Sequence, residues 1–88
     1  MHYVFTYEPV APGSEPSISA QPAHRAWIAK LFAEKRLLLA GPFTTEAGGM
    51  AIVEATDRAA AERLLAEDPA IANGTFRATV RELNVLYR

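Results

Sequence analysis

"RLLLAGPFTTEAGGMAIVEA", residues 36–55, is two apolar runs joined by a short polar segment that carries a glycine pair. "RLLLAGPF" (36–43) reads as a continuous apolar strand that Gly41-Pro42 ends, "TTEAGG" (44–49) as a hairpin connection, and "MAIVEA" (50–55) as the next strand. What flanks this hairpin decides the fold. On its N-terminal side the spacing predicts a helix from Pro22 to about Lys35: steps of three and four from His24 reach Trp27, Ile28, Leu31 and Lys35. Pro22 suits the first turn of that helix, where its missing N–H costs nothing. On the C-terminal side, Thr56 or Asp57 caps a second helix through about Glu67, with Ala60, Leu64 and Leu65 along its inner face.

Working outward, "HYVFTY" (2–7) alternates Tyr3, Phe5 and Tyr7 with Val4 and Thr6 and predicts a first strand. Residues 8–20, with Pro9, Pro12, Gly13, Pro16 and three serines, read as a long loop. "DPAIANG" (68–74) is a turn with one short helical turn, and "TFRATVRELNVLY" (75–87) is a long final strand. The order β-α-β-β-α-β is the ferredoxin-like α+β pattern: a four-stranded antiparallel sheet with two helices on one face, formed by a single domain over 1–88. "LLLA" is apolar at successive positions, which suits burial on both faces. Helices cover only one face of such a sheet. The other, read as also carrying alternate aromatics of the first strand, is expected to meet a second copy in a homodimer with sheets face to face.

Composition narrows the function. Half of the residues are hydrophobic and 22% are charged, the balance of a globular chain. There is no cysteine, and the two histidines alone make a structural zinc site a poor fit, so neither thiol chemistry nor a metal is expected. Nine Lys and Arg are scattered among ten acids at a net charge of −1, which argues against a nucleic-acid partner. No apolar stretch approaches the roughly 20 residues that span a bilayer, and "HYVFTY" is no signal peptide; the expectation is a soluble cytoplasmic protein with no membrane partner.

His24 is the awkward member of the first helix. In the ferredoxin-like topology right-handed crossovers make the two helices antiparallel, so the start of the first lies beside the end of the second. His24 and Asp68 are then neighbours in space. A helix N-terminus favours a neutral imidazole, and a C-terminus is unfavourable for a carboxylate unless a donor serves it. An imidazole N–H directed at Asp68 helps both groups, fixes the tautomer and leaves the other nitrogen as a proton acceptor. That is an acid–base dyad. No third member of a nucleophilic triad is placed, although Ser14, Ser17 and Ser19 lie in the loop. Plainer readings stand beside it. A histidine on an apolar face is commonly a satisfied core residue, Asp68-Pro69 is a helix-start pair, Trp27 suits the core, Gly41-Pro42 breaks a strand, Gly48-Gly49 is a turn rather than a phosphate loop, and Arg25, rotated about 100° from His24, suits solvent.

"QPAHRAWIAKLFAEKRLLLAGPF" (21–43) followed by "AAAERLLAEDPAIANGTF" (59–76) resembles the YciI-like proteins: a Pro-x-His helix, "LLLAGP", a glycine-bearing hairpin, an alanine-rich helix, and Asp-Pro ahead of a glycine. The resemblance implies a dimeric ferredoxin-like α/β barrel whose characteristic His and Asp fall on His24 and Asp68. The related superfamily includes muconolactone isomerases, and some YciI-like members resemble dehydrochlorinases of chlorinated hydroxyquinones. Ala70 stands where members often carry a large apolar residue, "SISAQP" (17–22) lacks the basic residues frequent before the histidine, and Lys35 takes a place where glycine often ends the helix. The leading reading is a small enzyme without cofactor or metal, in which His24 and Asp68 perform isomerisation, elimination or dehydrochlorination. Its small-molecule substrate would rest against Trp27, Gly41, Pro42 and Ser19. The alternatives are a non-catalytic dimeric small-molecule-binding or accessory protein, and a purely structural His–Asp bond.

Overall fold

In the computed structural model, which describes residues 1–11 and 17–88, four strands form one sheet in the order β2-β3-β1-β4. They are β1 (His2–Pro9), β2 (Leu37–Pro42), β3 (Gly49–Glu54) and β4 (Phe76–Leu83), and every neighbouring pair is antiparallel. Helix α1 (Pro22–Ala33) connects β1 to β2, while α2 (Arg58–Ala66) and the single turn α3 (Pro69–Ala72) connect β3 to β4. A 3-10 turn at Ile18–Ala20 precedes α1. Each helical crossover skips one strand: β3 lies between β1 and β2, and β1 lies between β3 and β4. The chain is ferredoxin-like α+β.

One core lies between sheet and helices. Tyr3, Phe5 and Tyr7 of β1 pack with Trp27 and Leu31 of α1, Ala61, Leu64 and Leu65 of α2, Ala70 of α3 and Phe76 of β4. This corrects the expectation that the β1 aromatics serve the open face. Period-two alternation places all three on one side, and burying such large side chains under the helices removes the most apolar area from water. The open face carries half-buried His2, Val4 and Thr6 instead. Beside them on β4 are Arg77, bonded to Glu8, and Arg81, bonded to Thr6. β2 is an edge strand; Leu37 and Leu38 are half-buried, whereas Leu39 through Pro42 are exposed in the single chain.

Several boundaries differ from the sequence reading for identifiable reasons. β1 runs on to Pro9 because Glu8 and Pro9 pair with Arg77 and Phe76. β4 ends at Leu83 because its last partner is His2. The buried alanine of α2 is Ala61, not Ala60. α1 ends at Ala33, and Lys35 adopts φ 61° in a Schellman close, with Lys35 N–H donating to Phe32 O and Arg36 N–H to Leu31 O. Gly48 and Gly49 do not supply left-handed turn geometry. A Cβ on Gly48 would collide with the Tyr7 carbonyl, and one on Gly49 would lie 2.7 Å from the Gly41 carbonyl. Gly48 lets the β2–β3 connection press against β1 where Tyr7 is held, and Gly49 lets β3 close on β2.

Candidate active site

Asp68 does not end α2, as the sequence reading had it. α2 stops at Ala66, and Asp68 is the N-cap of α3, its Oδ1 accepting from Ala70 N–H at 3.0 Å. The unfavourable field of a helix C-terminus is thereby replaced by a capping bond. Pro69 at the first helical position lacks an N–H and is pre-shaped for the turn. The carboxylate is 0% exposed, with its second oxygen turned toward α1.

That oxygen, Oδ2, takes two further bonds. His24 Nδ1 lies 2.7 Å from it and the Tyr7 hydroxyl donates to it at 2.7 Å. A carboxylate oxygen accepts, so both partners are donors, and His24 carries its proton on Nδ1. Burial, reinforced by the neighbouring Asp68 charge and the hydrogen bond, holds the Tyr7 hydroxyl well above the usual phenol range, so it remains a donor throughout the neutral range. The Tyr7 ring edge also meets the imidazole, with centroids 5.3 Å apart at 73°. Sequence reasoning assigned Tyr7 only to a strand. The available signal was chemical: a tyrosine on a buried face must find a partner for its hydroxyl.

His24 Nε2 makes no hydrogen bond within the described residues, and no buried polar side-chain atom among them lacks a partner. Nε2 is therefore open to solvent, although His24 as a residue is only 8% exposed. It opens on a cleft of about 870 Å³ between α1 and β2. Helix geometry explains the placement. Relative to His24, Leu31 and Trp27 lie about 20° and 60° to one side, on the core, while Phe32, Arg25, Ala29 and Pro22 lie about 80° to 160° to the other, on the cleft. His24 stands at the border of the two stripes.

The other residues singled out from the sequence divide accordingly. Ser19, Gly41 and Pro42 line the cleft. Trp27 does not; it is a core residue whose ring lies 6.2 Å from the imidazole, on the side away from the opening. Its expected place on the substrate wall is corrected by the helix turn. Ser19 Oγ is 3.1 Å from Ser17 Oγ, and Ser14 falls outside the described residues. Arg25, read as simply solvated, is exposed and lines the cleft. Among the described residues no three His, Cys, Asp or Glu side chains converge as metal ligands do.

Residues 1–84 match the sequence model of the YCII-related domain. The chain belongs to that family. The chain is also similar to the uncharacterized protein YjpA of Bacillus subtilis, 36% identical over 59 residues, 67% of this chain and 69% of that protein. A similar fold is seen in a solved structure: 5-chloro-2-hydroxyhydroquinone dehydrochlorinase (TftG) from Burkholderia phenoliruptrix AC1100, in complex with 2,5-dihydroxybenzoquinone. It superimposes with a TM-score of 0.75 over 96% of this chain and 94% of that one. Identity there is 23%, so the likeness is one of fold. None of the helices among the described residues is long and apolar enough to cross a membrane.

Proposed function

We propose that this YCII-related protein is a small enzyme that moves a proton on a small organic substrate, with His24 as general base or acid and Asp68 as its orienter. One observation carries the reading: Nδ1 is locked on a buried carboxylate at 2.7 Å while Nε2, on the same ring, faces an apolar cleft. When Nε2 takes a proton, the positive charge that forms is met at Nδ1–H by Asp68, whose position is held by Tyr7 and the Ala70 N–H. Isomerisation and elimination, including loss of HCl from a chlorinated ring, each begin with such a transfer, and none needs a cofactor. The dehydrochlorinase with the same fold supports that class. Ser19, Gly41 and Pro42 border the bound molecule in this reading. Two copies pack sheet to sheet, covering the open face, and the protein works in the cytoplasm.

The test does not require the natural substrate. Small enolisable ketones, keto acids and hydroxylated aromatics, incubated with the protein in D2O, are followed by NMR for solvent deuterium uptake or for product. Exchange or turnover that disappears in His24→Asn, in a folded protein, supports the enzyme. Equal rates in wild type and variant overturn it. The second reading, binding without turnover, draws on the largely apolar lining of the cleft, a common property of ligand pockets. It predicts bound probes with no exchange at all.

A further inference from the structure

We propose that Arg25 is the recognition residue of the cleft, and that the substrate is a small, largely apolar organic acid bearing a single carboxylate. The carboxylate pairs with the guanidinium, and the reacting hydrogen is turned toward His24 Nε2. This deepens the acid–base reading and rests on it for the direction of that hydrogen; anion recognition itself is measured by binding alone.

Among the described residues that line the cleft, Arg25 alone carries a permanent charge, and no carboxylate is among them. Asp68 lies behind the imidazole and is spent on Tyr7, His24 and Ala70. The other cleft-facing positions of α1 include Ala29 and Phe32, which follow Arg25 at steps of four and three along the same stripe. Arg25, although exposed, is thus one of the residues of α1 that line the cleft.

Among the described residues, four of the other six arginines are engaged through their side chains; Arg63 and Arg88 are not, but neither lines the cleft. Arg36 pairs with Glu34, Arg58 with Glu62 and Arg77 with Glu8, while Arg81 reaches Thr6. Arg25 makes no ion pair or hydrogen bond through its side chain within the described residues. A guanidinium presents a planar fork that matches a carboxylate with two parallel N–H···O bonds. The apolar walls strengthen the attraction, because the effective dielectric beside them is lower than in water. They also select against a second charge, which would be desolvated without a partner. One cation and apolar surroundings therefore specify a mono-anion. His24 and Arg25 line the same cleft, so one molecule bound there can meet both.

Benzoate and its neutral isostere benzamide are the probes, titrated into 15N-labelled protein and followed through the amides of Ser19 and Gly41. The expected result is that both perturb the cleft and benzoate binds roughly tenfold more tightly. Arg25→Gln brings the two affinities together, Arg25→Lys restores part of the difference, and His24→Asn keeps it. Equal affinities in the wild type, a benzoate preference that survives Arg25→Gln, or shifts that map away from the cleft overturn the proposal. The two readings fail separately. A chain that prefers benzoate through Arg25 but exchanges no proton loses the enzyme and keeps the anion site. A chain that exchanges protons through His24 with no such preference does the reverse.

Discussion

Asp57 and Asp68 begin as the same device. Each is an N-cap aspartate whose carboxylate accepts a backbone N–H of the helix it starts: Asp57 from Ala60 at 2.8 Å, Asp68 from Ala70 at 3.0 Å. Asp57 is exposed, and its second oxygen is left to water. Asp68 is sealed under β1 and α1, and its second oxygen holds a tyrosine and a histidine. The same local motif is a surface cap in one place and the buried anchor of a tyrosine and a histidine in the other. The difference is made by what packs above it.

The largest effect is expected from Asp68→Ala. It strands the Tyr7 hydroxyl and the His24 N–H in a dry interior and removes a cap, which is expected to cost about 3–5 kcal/mol in urea denaturation. A loss under 1 kcal/mol would make Asp68 the equal of Asp57 and break the contrast. Tyr7→Phe removes one donor from the carboxylate while keeping the packed ring, and is expected to cost about 1–3 kcal/mol by the same measurement. Under the acid–base reading it also shifts the pH–rate profile, because the carboxylate facing Nδ1 has lost a partner.

Alkaline pH gives a third handle. The Tyr7 pKa is raised on folding, so the folded state keeps a proton that the unfolded chain releases above about pH 10. Stability is unaffected below that pH and falls as pH rises beyond it, by up to about 1.4 kcal/mol per pH unit for this group. Tyr7→Phe should remove one proton from that slope in denaturation curves at pH 10–11.5; an unchanged slope would mean the hydroxyl is not held by Asp68. The smallest effect is Asp57→Ala, about 1 kcal/mol in stability, with benzoate binding and proton exchange at wild-type levels.

Much of this was legible before any coordinates. The apolar run 37–40, the helical spacing from His24 and the alternation of 3, 5 and 7 specify element types, because burial of a strand and of a helix demand different periods. Lys35 at a position suited to glycine was visible too, and its left-handed φ of 61° agrees. The pairing of the first helix with Asp68 followed from topology. The direction of the β1 aromatics did not, since alternation says that three residues share a face without saying which face the helices cover. Trp27, read both as a core residue and as a wall for substrate, is core, while Arg25, read as solvated, is exposed and also lines the cleft. The helical spacing puts them on opposite sides of His24, and only packing decides which side meets the sheet.

By itself, the sequence determined what short-range physics controls: the order of the elements, the Asp-Pro helix start and the presence of a histidine in the first turn of α1. Tertiary structure decided the rest. It buried one aspartate cap and left the other wet, brought the Tyr7 hydroxyl to Asp68 across 61 residues of chain, and turned one imidazole nitrogen inward and the other toward the cleft. Hydrogen bonds and burial of that kind depend on which surfaces meet, and that is a property of packing rather than of any local run of residues.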